Sequence, residues 1–309
     1  MIRKLAIAFY LVFGLAAATA QTTPTTATSY EEAVALYQDD NYADALPLAQ
    51  AYAAKGDARA MTMLGNMFQK GLGVAIDLQQ AARWYQEAAD KGDVDGEFAY
   101  AMILMDGSLG KVHLDDGAPW LQKAAEAGNL QAQYNLGIFY SGAYKTAADW
   151  PNAAKWFAAA AARDLPDAQY NLALLYLDGR GVEKSQIKAA QFFSKAAMQG
   201  MPEAALEYGV LVFRGEGVEK DEALGAKWLL VAANHGNPVA MNRVAKLYAT
   251  GRGVTADAVE AAKWNILARA AGRSDPELDD GMAKLDPSIV KQAEARVAAF
   301  KPMTVKTEN

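Results

Sequence analysis

The chain has 309 residues, with 30 lysines and arginines against 36 aspartates and glutamates and a formal net charge of −6. Its length exceeds what one hydrophobic core usually supports, so either two domains or a repeated architecture is expected. The acidic balance argues against nucleic acid and anionic lipid as partners, because both require a basic face. The absence of cysteine excludes disulfides, thiolate nucleophiles and zinc fingers.

Residues 1–20 have the composition of a secretory signal peptide. Arg3 and Lys4 provide the positive start, an uncharged apolar run follows, and Ala18-Thr19-Ala20 is a small-residue cleavage site. The alternative is a membrane anchor, which would need about 20 apolar residues. We predict cleavage, a mature net charge of −8 because two basic residues leave, and no membrane insertion afterwards. Residues 21–29 are predicted to be a flexible leader, and the protein to be periplasmic, with secretion less favoured.

An aromatic residue recurs every thirty-six residues along most of the chain. Its six occurrences are Trp84, Trp120, Trp156, Phe192, Trp228 and Trp264. A turn residue keeps the same spacing from Gly56 to Gly272. After each of the first six, small or apolar residues stand four, eight, nine and twelve positions later. These spacings place them on one face of a helix. A second helix carries the aromatic, with an alanine four positions later in every unit.

The two predicted helices of a unit are joined by a Gly-x-Gly-Val turn in four units. These turns are Gly71-Leu72-Gly73-Val74, Gly179-Arg180-Gly181-Val182, Gly215-Glu216-Gly217-Val218 and Gly251-Arg252-Gly253-Val254. Glycine adopts the left-handed conformation that ends a helix. The turns at Gly107-Ser108-Leu109-Gly110 and at residues 141–148 depart from this pattern, so differently shaped loops are expected there. One helix pair cannot bury its apolar face alone, so the sequence predicts an all-α, right-handed α-solenoid of stacked antiparallel helix pairs with a 36-residue period.

The repeat resembles the Sel1-like repeat, a relative of the tetratricopeptide repeat. One nearly complete instance consists of Ala132, Leu136, Gly137, Tyr140, Ala153, Trp156, Ala160 and Ala161. The resemblance covers residues 57–272 as six repeats. Residues 30–56 are expected to form a degenerate N-terminal helix pair, residues 273–301 capping helices and residues 302–309 a tail.

The resemblance implies a function in binding rather than catalysis. The expected protein is a periplasmic adaptor or regulatory scaffold that holds a protein or peptide, such as the periplasmic segment of a membrane protein, in the concave groove of the solenoid. The alternative is a cell-envelope assembly component that contacts exopolysaccharide or peptidoglycan. Tyr144 and Trp150, two aromatic residues outside the repeat pattern, favour that alternative.

In related repeats the first helix of each pair lines the groove, at positions three, six, ten and thirteen after the turn residue. In the first unit these positions are polar: Arg59, Thr62, Asn66 and Gln69. The candidate partner-binding residues, called the stripe below, are Phe98, Met102, Tyr134, Ile138, Tyr170, Leu174, Leu206, Val210, Asn242 and Lys246. An acidic or amide rim runs beside them through Asp95, Gln131, Asp167 and Glu203. Because apolar residues at helical spacing also form cores, burial of the stripe stays open as the other interpretation.

Two short patterns carry weak chemical signals. Ser185 and Lys188 match the Ser-x-x-Lys nucleophile motif, but the serine stands where a helix begins and capping explains it. His113 lies close to Asp115 and Asp116, a set too small for a typical metal site. No phosphate-binding loop is present. We therefore expect no enzymatic activity, no cofactor and no metal.

Overall fold

The structure is a computed structural model that describes residues 29–303. The predicted signal peptide, residues 21–28 of the predicted leader and residues 304–309 of the predicted tail lie outside the described residues. Residues 29–303 form sixteen α-helices and contain no β-strand, which confirms the all-α class. They divide into two compact units, residues 29–148 and residues 149–303.

Within residues 29–303, the N-terminal unit contains seven helices and the C-terminal unit contains nine. The N-terminal helices are α1 (Tyr30–Gln38), α2 (Tyr42–Ala54), α3 (Ala58–Lys70), α4 (Leu78–Asp90), α5 (Val94–Met105), α6 (Leu114–Glu126) and α7 (Leu130–Tyr140). The C-terminal helices are α8 (Trp150–Ala161), α9 (Pro166–Asp178), α10 (Gln186–Met198), α11 (Pro202–Arg214), α12 (Glu222–Asn234), α13 (Pro238–Thr250), α14 (Ala258–Ala270), α15 (Pro276–Ala283) and α16 (Pro287–Ala299).

Most of these helices begin at a residue whose side chain caps them, and four of them, α3, α9, α11 and α13, end at a glycine in the left-handed conformation. The Asp57 carboxylate accepts the backbone N–H groups of Arg59 and Ala60 at the start of α3, which satisfies donors that have no partner inside the helix. The same helix ends at Gly71, whose φ of 72° lies in the left-handed region. Glycine adopts that conformation without the steric penalty that a side chain brings.

The second glycine of each regular turn touches the preceding repeat. A Cβ built on Gly217 would lie 2.3 Å from both the carbonyl carbon and the carbonyl oxygen of Gln186. Equivalent approaches join Gly73 to Tyr42, Gly181 to Trp150, and Gly253 to Glu222. The first glycine of the Gly-x-Gly-Val turn therefore ends the first helix of its pair. The second glycine lets the turn pack directly against the backbone of the preceding helix pair.

The two irregular loops differ from each other. In the regular turn after α11, the Asp221 N–H donates to the Val212 carbonyl at 3.0 Å. The loop after α5 keeps the equivalent bond, from His113 to Leu104 at 2.8 Å, although it lacks the Gly-x-Gly spacing. The loop after α7 instead has a turn in which Lys145, with a φ of 65°, donates to the Gly142 carbonyl at 3.1 Å.

The core of each unit combines apolar residues of the first helices, such as Leu64 and Leu172, with alanines of the second helices and the residue that follows each periodic aromatic. The alanines four positions after the aromatics are fully buried: Ala88, Ala124, Ala160, Ala196, Ala232 and Ala268. Tyr85, Phe157 and Phe193 are likewise 0% exposed, whereas Trp84 and Trp120 keep part of their surface exposed. Small residues on one helix allow a large ring of the neighbour to approach closely.

The chain after the last regular repeat folds differently from the repeats. The helix α15 has eight residues, and none of them is buried in the part of the chain described here. The following helix α16 packs on α14, where Ala293 is buried and the Phe300 ring lies edge-on to Trp264 at 5.4 Å between centroids. Across residues 29–303, no helix combines the length and apolar character needed to cross a membrane.

Candidate functional site

All ten residues of the stripe lie on first helices of repeats. Those of the N-terminal unit are Phe98 and Met102 on α5 and Tyr134 and Ile138 on α7. Those of the C-terminal unit are Tyr170 and Leu174 on α9, Leu206 and Val210 on α11, and Asn242 and Lys246 on α13.

Most side chains of the stripe are buried. Seven are at most 9% exposed: Phe98, Met102, Tyr134, Ile138, Leu174, Leu206 and Asn242. Tyr170, Val210 and Lys246 remain partly exposed, and the Tyr170 ring lies 5.5 Å from that of Phe193. Seven of the ten therefore contribute to packing, and partner binding through the stripe stays a prediction.

The N-terminal unit holds a cavity of about 260 Å³ among α1, α3 and α5, called the N-terminal cavity here. It is lined by Tyr30, Val34, Tyr37, Arg59, Thr62, Met63, Asn66, Lys70, Asp93 and Asp95. Arg59, Thr62 and Asn66 occupy polar facing positions predicted for the first repeat, and Asp95 belongs to the predicted rim. The structure thus brings four of the predicted polar positions to one concave feature.

Hydrogen bonds and ion pairs hold the polar groups of this cavity in place. An Arg59 Nη2 atom lies 3.1 Å from Asp57 Oδ2, and its guanidinium stands 4.3 Å from the centroid of the Tyr30 ring. Thr62 Oγ1 donates to Asp93 Oδ2 at 2.6 Å. Polar groups fixed in this way are preorganised, which reduces the ordering cost of binding a partner.

Burial and charge set the ionisation of the cavity walls. Desolvation raises the pKa of Tyr30 well above its ordinary value and that of Tyr37 to about 12, so both phenols are neutral near pH 7. Desolvation raises the pKa of Asp95, and Asp93 adds to this, whereas the hydrogen bond from Asn129 opposes it. The cavity therefore offers aromatic rings beside two carboxylates, the paired Arg59 guanidinium and the Lys70 ammonium group.

The sequence pattern of the Sel1 repeat matches six consecutive segments: residues 58–93, 94–129, 130–165, 166–201, 202–237 and 238–272. Together they make up more than half of the chain. It belongs to the Sel1 repeat family. Proteins built from Sel1 repeats generally act as protein-interaction scaffolds without catalysis.

Two solved structures show the same Sel1 repeat architecture. A protective antigen of uropathogenic Escherichia coli strains is 28% identical, with a TM-score of 0.72 over 82% of this chain and 56% of the antigen. A Sel1 repeat protein from Oxalobacter formigenes is 29% identical, with a TM-score of 0.66 over 79% of this chain and 100% of that protein. The chain thus spans little more than half the length of the antigen. Among curated proteins, none matches the chain.

Within this Sel1 solenoid, the residues of the two weak chemical patterns have structural partners. Ser185 Oγ accepts the backbone N–H of Lys188 at 3.3 Å, which caps α10. His113 Nδ1 lies 3.3 Å from Asp116 at the start of α6. Across the residues that the structure describes, no group of three or more histidine, aspartate or glutamate side chains is arranged to hold a metal ion.

Two cavities of this Sel1 protein lie beyond what the repeat pattern predicts. The N-terminal cavity depends on how the degenerate α1 packs on α3, and α1 has no complete repeat pattern from which to infer it. A second cavity, beside α15, lies where the repeat pattern has ended. Its one sequence signal is a polar residue, Asn265, at a position that is apolar or aromatic in the other five repeats.

Proposed function

We propose that this Sel1 repeat protein is a non-catalytic periplasmic adaptor or regulatory scaffold that binds a segment of another protein. The observation that carries the proposal is the N-terminal cavity, where polar facing positions of the first repeat meet aromatic residues of α1. A volume of about 260 Å³ suits one or two anchoring side chains of a bound peptide. The scaffold role of the family supports this reading, and the periplasmic location rests on the predicted signal peptide.

The cavity also favours a particular partner chemistry. Val34 and Met63 provide apolar walls. The charged groups of the lining are Asp93, Asp95, Arg59 and Lys70, so the two signs balance. A peptide segment that inserts an apolar anchor would complement the apolar walls. The acidic net charge of the chain favours a segment that also carries lysine or arginine.

Crosslinking in living cells followed by mass spectrometry of the captured proteins tests this proposal. In the Val34→Trp variant a larger side chain fills the N-terminal cavity, while Val112→Trp places the same residue at an exposed site of the same unit. We expect a protein captured by the wild type and by Val112→Trp to be lost from Val34→Trp, with unchanged circular dichroism in all three. Equal capture by the three proteins would contradict binding through this cavity.

The envelope-assembly alternative depends on the two additional aromatic residues. The Trp150 ring is covered on one face by the Arg180 guanidinium at 4.5 Å, and the Tyr144 ring lies 6.1 Å from Phe139. Each ring already has a neighbour within its own unit, which leaves less free surface for stacking on a sugar. Retention on isolated peptidoglycan or exopolysaccharide, with no protein captured, would favour this alternative over the adaptor.

A further inference from the structure

One buried position of the second helices carries a carboxamide in the last repeat only. The residue that follows the periodic aromatic is Tyr85, Leu121, Phe157, Phe193, Leu229 and Asn265 in the six repeats. All six are buried, with Asn265 1% exposed. Five repeats place an aromatic or aliphatic side chain here, so a carboxamide at the sixth position replaces core packing with hydrogen-bonding groups.

The hydrogen bonds of this carboxamide are only half satisfied. Asn265 Nδ2 donates to Asp279 Oδ1 on α15 at 2.9 Å. Asn265 Oδ1 has no hydrogen-bond partner among residues 29–303. Buried side-chain oxygens almost always have a donor, and the exceptions call for a missing partner. Because Nδ2 is fixed by a carboxylate, the amide cannot turn over to remove the unpaired oxygen.

Asn265 lines a cavity of about 440 Å³ beside α13, α14 and α15. Its floor is formed by Ala261 and Ala262 of α14, and the apolar side chains of Leu278, Met282 and Leu285 cover it from the other side. The volume falls in the range of about 300–1,000 Å³ that is usual for small-molecule sites, which are mostly apolar with a few polar groups.

The helix α15 covers this cavity through polar contacts at its edge and through Leu278, which packs against the core of the C-terminal unit. Asn242 Nδ2 donates to Asp275 Oδ2 at 3.2 Å, and Lys246 Nζ lies 2.8 Å from the same oxygen and 3.5 Å from Glu277. None of the eight residues of α15, all of which the structure describes, is buried. Leu278 and Met282 of α15 also line the unfilled space of this cavity.

We propose that this cavity binds a small, uncharged, largely apolar molecule that carries one N–H or O–H donor. The donor bonds to Asn265 Oδ1, and the apolar body fills the space between the alanines of α14 and the Leu278 and Met282 side chains. A charged ligand is disfavoured because Lys246 at the edge already pairs with Asp275 and Glu277. The remaining charged group of the lining, Asp257, lies 3.8 Å from Arg296 Nη1. The site is separate from the N-terminal cavity and does not depend on the proposed adaptor function.

Indole and indene are suitable probes because they share a shape and only indole has an N–H donor. Titration of the full chain is followed by the chemical shifts of the Asn265 side-chain amide and by calorimetry. We expect saturable binding of indole, with an affinity about tenfold higher than that of indene, as a hydrogen bond to a buried acceptor would give. The preference should disappear in Asn265→Leu.

Two further variants separate this site from general apolar binding. Met282→Trp fills the cavity from the α15 side and should abolish binding of both probes, whereas Met198→Trp makes the same change at a site that is 72% exposed on α10 and should bind like the wild type. The proposal is overturned if wild-type protein shows no saturable indole binding or binds both probes equally. It is also overturned if Met282→Trp, with an unchanged melting curve, binds indole like the wild type.

Discussion

Gly217 shows how one residue can determine the distance between neighbouring repeats. Its φ is 74°, and a Cβ there would meet the Gln186 carbonyl and the Ile187 nitrogen within 2.7 Å. Gly200 also has a positive φ, of 88°, but no described atom lies within 4 Å of the position that its Cβ would take. The two glycines therefore share a backbone conformation and differ in whether a neighbouring repeat touches them.

We predict that Gly217→Ala lowers the free energy of unfolding by roughly 2–4 kcal/mol, because it adds a backbone clash to the cost of a left-handed alanine. Gly200→Ala carries only the conformational cost of about 1–2 kcal/mol. Urea unfolding followed by circular dichroism measures both. Equal losses for the two variants would show that the contact between repeats contributes nothing to stability.

At the scale of the helix, one charged pair joins α5 to α6 in an otherwise apolar interface. The Glu97 side chain is 3% exposed and lies 2.6 Å from the Lys123 ammonium group, which is 54% exposed. Glu97 Oε2 has no hydrogen-bond partner in the described part of the chain. A buried carboxylate in this setting depends on its one cationic partner.

Lys123→Met should destabilise the protein by about 2–4 kcal/mol, because it leaves the Glu97 carboxylate buried without a counter-charge. The double variant Glu97→Leu with Lys123→Met should recover most of that loss, since no buried charge remains. Thermal unfolding of the two single variants and the double variant gives the coupling energy. A double variant no more stable than Lys123→Met would argue that packing, rather than charge, connects these helices.

The helices themselves were predictable from the sequence, but the depth of each side chain was not. Glycine turns and a fixed period predict where helices begin and end, as Gly71 does for α3. The pattern highlighted Trp84, whereas the structure buries its neighbour Tyr85 more deeply. Adjacent residues differ by only one helical step, so which of them is deeper depends on the neighbouring helix, here on the absence of a side chain at Gly65.

The same reason limits what could be predicted of the candidate site. Positions six and ten after each turn residue lie next to the core face on a helical wheel. Whether their side chains are buried depends on how closely successive first helices pack, as α3 and α5 do. Polar residues such as Thr62 at the first repeat could be predicted to border a site because they do not suit a core. The cavity under α15 could not, because residues 273–286 have no repeat period to extrapolate.

On the scale of the whole molecule, stability is expected to be a sum over repeats and the contacts between neighbours. In the C-terminal unit, Gly181, Gly217 and Gly253 make the same backbone approach to the preceding repeat. A repeat removed as a complete unit would leave equivalent surfaces facing each other, since residue 253 would then meet Gln186 in place of Glu222.

Deletion of residues 202–237, one complete repeat, should therefore leave a folded helical protein whose unfolding exposes less surface and has a smaller denaturant dependence. The control is deletion of residues 202–221, which removes α11 and its loop and leaves α12 without its partner helix. We expect that control to lose cooperative unfolding. If the two deletions behave alike in urea titrations, the additive description of the repeats is wrong.

The glycine-to-backbone contact also bears on how such a chain changes length over evolutionary time. Unequal recombination between two repeat-coding stretches of a gene adds or removes thirty-six codons at once, which preserves the reading frame. Each new junction between regular repeats brings a glycine against a main-chain carbonyl, a contact that is independent of side-chain identity. Duplicated repeats can therefore diverge in sequence while their junctions remain interchangeable.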